Sequence, residues 1–399
     1  MYLFTRRWFS DFSRMLIRAV HTWLVTVNNR FFFRVHAGLE AGFPGRVRAQ
    51  FGEGWSGRRL LAICDFMALP ISWDILVFLF IADNRRRALG LDRLDVAFVS
   101  HAGDPGVLPP EHMNPDLLAN ARDYIHNLGQ EAARLLPSVG SVLYFDNRRQ
   151  FYDFHARSAK DYAWFPETWT PARPSLTRPD QPALFSYIHF TRDADPAEAL
   201  CLTPRPLYVD MARQWLRNYA YPRIPVTLTL REYMVQTRKN SDIPEWQRVI
   251  DSYRDSDLVF IVLPDFTRAY EPPALHGPNV VHFTDPVVSL SLRAALYQES
   301  SLNLFVNNGP AALCWLTRHI PYCIFKIVSD DRSATVPDLE RICGLKPGDQ
   351  YWGAGEFQRL VWADDTYEAI RPEVDALLEG LAAAGRLRPA WYPETGGAP

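Results

Sequence analysis

The sequence predicts an α/β protein made of two doubly wound, Rossmann-like domains facing each other across a cleft, with an N-terminal amphipathic helix ahead of them. Three observations predict it. Short apolar runs of strand type alternate with stretches of helical period, first over about 55–150 and again over about 220–345. Pro222 and Pro225 punctuate the chain between the two sets. At 399 residues and 48% hydrophobic, the chain can fill two or three real cores. The expected division is 1–50 for the basic helix and its linker, 51–215 for the first domain, 216–365 for the second, and 366–399 for a terminal helix and tail.

Bulk numbers exclude several function classes. Charged residues make up 22% of the chain, which argues against global disorder, and a net charge of -2 gives no case for nucleic acid. The cysteines are Cys64, Cys201, Cys314, Cys323 and Cys343. Their number is odd and no pair has CxxC spacing, so neither a disulfide framework nor a zinc site is expected, and a reducing cytosol is.

Residues 7–27 place Trp8, Phe9, Phe12, Met15, Leu16, Ala19, Val20, Trp23, Leu24 and Val27 on one helical face, with Arg7, Arg14 and Arg18 on the other. Charges interrupt every apolar run, so this is neither a secretory signal nor a membrane span. Such a helix either lies in a bilayer interface or packs against protein, its own chain or a sister subunit.

In the first domain, Leu60–Asp65 reads as a buried strand and 73–88 as a helix stopped at Gly90. Leu94–Ser100 and Val139–Phe145 read as further strands, with a helix over 114–136. This βαβ succession implies a parallel sheet with right-handed crossovers. Asp65 and His101 each follow a strand, at the edge where open α/β sheets bind ligands. There a carboxylate can take a proton from an acceptor hydroxyl, or cap the next turn. A histidine can act as base or donor, or be a polar loop residue.

In the second domain, Val226–Arg231 alternates as a strand and 233–242 is a polar loop holding Arg238 and Lys239. Asp242, Pro244 and Glu245 start a helix whose buried stripe is Trp246, Val249, Ile250 and Tyr253. Strands follow over 257–263 and 280–283, then a helix over 290–299 and a strand over 302–306. Asn307, Asn308 and Gly309 form a tight turn, and Pro310 suits the first position of a helix expected over 311–318. A further strand is expected at 320–327, and a helix over 367–384. Guanidinium groups at Arg231 and Arg238, together with turn N–H groups at 307–310, suit a diphosphate. The competing reading is an ordinary turn beside solvated ion pairs.

Two doubly wound domains with an anion site in the second resemble the GT-B glycosyltransferases. The Thr-Leu-Thr-Leu-Arg231-Glu strand end is similar to the strand–arginine element of fucosyltransferase-like members. The Phe305-Val-Asn-Asn-Gly-Pro310 turn resembles the small-residue loops of heptosyltransferase-like and epimerase-like members. The resemblance spans about 58–380 at the level of architecture. It implies that Arg231 meets the donor diphosphate, that 307–310 holds phosphate or sugar, and that a C-terminal helix returns to the first domain. No His-Pro-x-Gly-Gly, Glu-x7-Glu or Asp-x-Asp motif is present.

The resulting expectation is a metal-independent glycosyltransferase without a cofactor, moving a sugar from a nucleotide sugar to a cell-surface polysaccharide or lipid-linked glycan. Asp65 or His101 would face the acceptor. The enzyme would be cytoplasmic, held at the inner face of the membrane by residues 7–27. A nucleotide-sugar epimerase and a non-catalytic binding or scaffold protein are the rivals.

Overall fold

A computed structural model describes residues 59–66, 69, 72–100, 125–158, 161–167, 169, 202–233, 236–271, 274–330 and 334–392. The helix at 7–27 and His101 lie outside the described residues.

The first sheet is entirely parallel, in the order β3-β2-β1-β4. Its strands are β1 (Arg59–Asp65), β2 (Arg93–Val99), β3 (Val139–Phe145) and β4 (Ala163–Phe165). The chain steps outward from β1 to β3, then returns to the other side of β1, so the order reverses between β1 and β4. Between them run α1 (Asp74–Ala88), a π-helical stretch Ile125–Gln130 leading into α2 (Glu131–Arg134), and α3 (Arg148–Ser158). From Ile75 to Ala82, α1 is apolar and buried on every side, and the buried Asp83 that follows is paired with Arg86 and Arg87. Arg85, Arg86 and Arg87 in its last turn suit the negative end of the helix dipole, and Gly90 takes the left-handed conformation just beyond (φ +64°).

The helix α4 (Pro206–Tyr219) leads into the second sheet and runs through the expected 215/216 boundary. That sheet is also parallel, in the order β10-β9-β8-β5-β6-β7. Its strands are β5 (Ile224–Thr229), β6 (Leu258–Leu263), β7 (Val280–His282), β8 (Leu302–Val306), β9 (Tyr322–Phe325) and β10 (Gln358–Leu360). The helices are α5 (Ile243–Ser252), α6 (Asp285–Val288), α7 (Leu290–Gln298), α8 (Ala312–Trp315), α9 (Val336–Cys343) and α10 (Tyr367–Ala383). Here the order reverses between β5 and β8. The loops carrying Arg231 and Asn307 leave those two strands, at the switch point where such sheets bind ligands.

Several expectations are corrected. The helix predicted over 311–318 is a 3-10 turn, Gly309–Ala311, followed by the four-residue α8; the Thr317 hydroxyl donates to the Leu313 carbonyl at its end. Pro225, expected as a boundary, is the second residue of β5; it has no N–H to give, and its carbonyl accepts from Ser301 N at 2.9 Å. The C-terminal helix does not return to the first domain. Ile370, Val374, Leu377 and Leu381 of α10 share a core with Trp246, Val249 and Ile250 of α5, on one face of the second sheet. The tail beyond the last helix is anchored at a buried Trp391, whose indole donates to the Glu299 carbonyl at 2.8 Å.

The largest core joins the two domains, with α1 and α2 on one side and α7 and α8 on the other. Glu131 of α2 accepts a hydrogen bond from Ser291 N, in the first turn of α7, at 2.7 Å. The carboxyl edges of the two sheets are thereby held facing one another.

Candidate functional site

The loop after β5 is folded around Arg231. The residue is 9% exposed, and its Nη1 donates to the Gln236 carbonyl at 2.8 Å and to Asn240 Oδ1. The same Asn240 oxygen accepts from Tyr233 N, while its Nδ2 donates to the Tyr233 carbonyl. Arg231 therefore holds the loop closed from within. Arg238, the other predicted diphosphate ligand, is exposed and pairs with an equally exposed Asp330 at 2.6 Å, an interaction of small net worth. Between Arg238 and Asn240 the chain turns inward, and Lys239 is buried at 8% exposure.

The loop is pinned from outside as well. Lys326, at the end of β9, donates from Nζ to the Asn240 carbonyl (3.0 Å) and to Asp365 Oδ1 (2.8 Å). Asp365 Oδ2 accepts from Asp242 N and from the Trp246 indole. Gln236 and Lys326 are the non-glycine residues with positive φ among the described residues, at 57° and 55°. Left-handed backbone at such side chains persists only where surrounding bonds enforce it. Both residues bear on the position of Lys239.

The turn after β8 spends its side chains on structure. Asn307 Nδ2 donates to the Ile327 carbonyl at 3.0 Å, and Asn308 Oδ1 caps Ala311 N at 3.3 Å. Pro310 is the second residue of the 3-10 turn. Gly309 presents bare backbone, and Trp73 of the first domain rests on it. A Cβ at position 309 would lie 2.1 Å from Trp73 Cδ1.

Asp74 follows Trp73 and begins α1, on the carboxyl side of the first sheet. Ser72 Oγ donates to Asp74 Oδ2 at 2.8 Å. Burial pushes the Asp74 carboxyl up to about 6; the Ser72 hydrogen bond and the Lys239 charge both pull the other way without overcoming it. The α9 thiol of Cys343, pushed up to about 11 by burial, also feels the Asp74 charge. Asp74 and Lys239, from opposite domains, thus act on one another where the two sheets face. A buried carboxyl raised towards neutrality, within the field of a lysine from the other domain, has the character of a general base.

Asp65 is placed differently from the expectation. It is fully buried at the switch of the first sheet, and Arg148 Nη1 donates to both its oxygens at 2.6 Å. The Trp169 indole donates to Oδ2 at 3.0 Å. With its charge neutralised and both oxygens occupied inside the protein, Asp65 has the geometry of an anchor rather than of an acceptor-facing base. Among the described residues no three His, Cys, Asp or Glu side chains gather as a metal would require.

Sequence reasoning missed Asp74, and it passed over Lys239 as one member of a cationic run. An acidic residue in the first turn of a helix is expected for dipole reasons alone, so nothing local distinguishes Asp74.

No protein-family model and no curated protein matches the chain. Among solved structures it is similar to a glycosyl transferase family 9 protein of Veillonella parvula, at TM-score 0.50 and 10% identity, covering 81% of this chain and 97% of that one. It is also similar to E. coli ADP-heptose LPS heptosyltransferase II, at TM-score 0.48, 10% identity and coverages of 81% and 99%. A third similarity is to the E. coli heptosyltransferase WaaC with ADP, at TM-score 0.40, 12% identity and coverages of 82% and 98%. At these identities the shared property is the fold, and the chain has the two-sheet α/β GT-B architecture of the Veillonella glycosyl transferase.

Proposed function

We propose that the chain is a glycosyltransferase that takes a sugar from a nucleoside-diphosphate donor and passes it to an acceptor hydroxyl, with Asp74 as the base. One observation carries the reading: a carboxyl raised to about 6 stands at the domain junction, under the influence of a buried lysine from the other sheet. At pH 7 such a group is roughly nine-tenths ionised yet basic enough to accept a proton. In the reaction, Asp74 removes the acceptor hydroxyl proton as that oxygen attacks the anomeric carbon. The bond from that carbon to the diphosphate oxygen breaks, and the departing diphosphate carries the electron pair. Lys239 neutralises the growing charge, a role in which preorganised cations contribute most.

The acceptor we favour is a cell-surface polysaccharide or lipid-linked glycan. Support for it is the basic aromatic stretch 7–27, which suits an interface beside a membrane-held acceptor on the cytoplasmic side. No helix among the described residues is long and apolar enough to cross a membrane.

The test is Asp74→Asn in the full chain. Donor binding measured by calorimetry is expected to persist, while kcat falls by roughly 10²–10⁴-fold. For the wild type, kcat/KM is expected to fall with decreasing pH through about 6. An asparagine variant that keeps wild-type turnover would overturn the assignment.

A further inference from the structure

Among the described residues Arg293 has no counter-charge. It lies in the first turn of α7 and is 3% exposed. Its Nε donates to the Pro286 carbonyl at 2.8 Å. Its Nη2 is shielded from solvent and has no hydrogen-bond partner. Among the described residues no carboxylate pairs with it; the Trp73 ring lies over it, its centre 5.8 Å from the guanidinium carbon. Burying a cation in this way is costly, because the lost hydration is repaid by neither an ion pair nor a full set of hydrogen bonds. Among native proteins an orphaned buried donor needs a reason.

The surroundings supply one. Tyr297, one turn further along α7, shares a 2.7 Å hydrogen bond with Thr229, the last residue of β5, and its ring meets Phe305 of β8 edge-on. The face of α7 that carries these side chains therefore packs beneath the carboxyl ends of β5 and β8, at the topological switch. Trp73 covers the guanidinium from the opposite domain, and the same indole sits on Gly309. One side chain thus closes off both the unpaired cation and the bare backbone of the turn, and the next residue in sequence is Asp74.

We propose that Arg293 binds the pyrophosphate group of the donor, and that Trp73 is the cover that the pyrophosphate displaces. The inference rests on the transferase reading above and assigns its donor cation to Arg293 rather than to the predicted Arg231 and Arg238. With the indole seated, the guanidinium is out of reach. When the indole swings away, a fork of N–H groups and the Gly309 backbone face the same anion. The binding-competent form is then only part of the unliganded population, which weakens apparent affinity by that fraction. Trp73 adjoins the base, so uncovering the site moves the residue before Asp74 as the donor enters.

Titration calorimetry of the full chain with pyrophosphate, ADP, UDP, GDP and CDP tests this, using wild type, Arg293→Met, Arg293→Lys and Trp73→Ala. Arg293→Met is expected to bind the preferred diphosphate at least about ten-fold more weakly, with Arg293→Lys between it and wild type. The same Arg293→Met protein should unfold at no lower temperature than wild type, since an unpaired buried charge has gone. Trp73→Ala should bind pyrophosphate more tightly than wild type. If Arg293→Met binds within about two-fold of wild type, the inference is overturned and the transferase reading stands. Should Arg293→Met fail to fold, Arg293→Lys decides: unchanged affinity overturns the inference, and weakened affinity supports it. If the wild type binds none of these diphosphates at millimolar concentration, both fall together.

Discussion

Replacing Gly309 by alanine probes the junction between the domains more directly than any change to a charged residue. The added Cβ would lie 2.1, 2.2 and 2.6 Å from Trp73 Cδ1, Cγ and Cβ. Carbon atoms are comfortable at about 3.5 Å or beyond, so the closest overlap is about 1.4 Å. The atoms struck are the root of the side chain. A rotation about the outer torsion cannot clear them, and either the indole leaves its seat or the start of α1 recedes from the turn. Gly309 has no positive φ, so alanine is otherwise acceptable there and even gains about 0.5 kcal/mol from a stiffer unfolded chain. Overpacking at this depth costs about 3 kcal/mol, leaving a net loss of about 2–3 kcal/mol. The experiment is a double-mutant cycle by urea unfolding with Trp73→Ala. Trp73→Ala alone destabilises through lost packing. In that background the Cδ1 and Cγ overlaps are gone and only the 2.6 Å approach to the residue 73 Cβ remains, so Gly309→Ala should cost clearly less, giving a coupling of about 1–2 kcal/mol. Equal costs of Gly309→Ala in both backgrounds would refute the packing of Trp73 on this turn. Turnover is a second readout, because displacing Trp73 disturbs its neighbour Asp74.

Two further predictions follow from buried ionisable groups. Asp65→Asn should destabilise the chain by about 3–5 kcal/mol by leaving Arg148 buried and uncompensated, and Asp65→Asn with Arg148→Met should recover part of that loss in urea titrations; a single variant as stable as wild type would show that the pair is not an anchor. Burial lowers His155 to about 4, so its folded form resists protonation. Its contribution to stability is complete above the unfolded value near 6.5 and is lost as pH falls towards 4, up to about 3 kcal/mol. Asp74 has the opposite sign: its raised carboxyl costs stability above about 6, and the cost is relieved as pH falls towards 3.8. The two trends oppose each other between about 4 and 6, so the wild-type melting temperature should vary little there. His155→Phe removes one of them, and its melting temperature should rise on acidification relative to wild type; parallel curves would sink the assignment.

The alternation of strands and helices was legible because the interior parallel strands are buried on both faces and read as continuous apolar runs. Leu258–Leu263 and Leu302–Val306 are such runs, and both are strands in the second sheet. The short β4, three residues of Ala-Trp-Phe, has no such run, and its pairing with β1 is a tertiary fact. The helical stripe of α10 was equally clear, but a stripe does not say which surface it will cover. It met α5 and the second sheet instead of the first domain.

The candidate site shows a sharper limit. Reading one strand end at a time, the most conspicuous cation is Arg231 and the most conspicuous carboxylate is Asp65. Both are conspicuous for a structural reason: Asp65 ends an interior strand and Arg231 follows another by two residues, where an ionisable group must be satisfied if it is to be buried at all. Asp65 is consumed by Arg148 and Trp169, and Arg231 is hydrogen-bonded to its own loop. The groups proposed to carry the chemistry are one step further out. Asp74 begins a helix, Lys239 ends a 3-10 turn, and Arg293 sits in the first turn of a helix. What sets them apart is the environment made when two domains close on each other, raising one carboxyl and leaving one guanidinium unpaired. Strand ends show where a parallel sheet places its ligand edge, but the chemistry belongs to side chains whose surroundings the opposite domain completes.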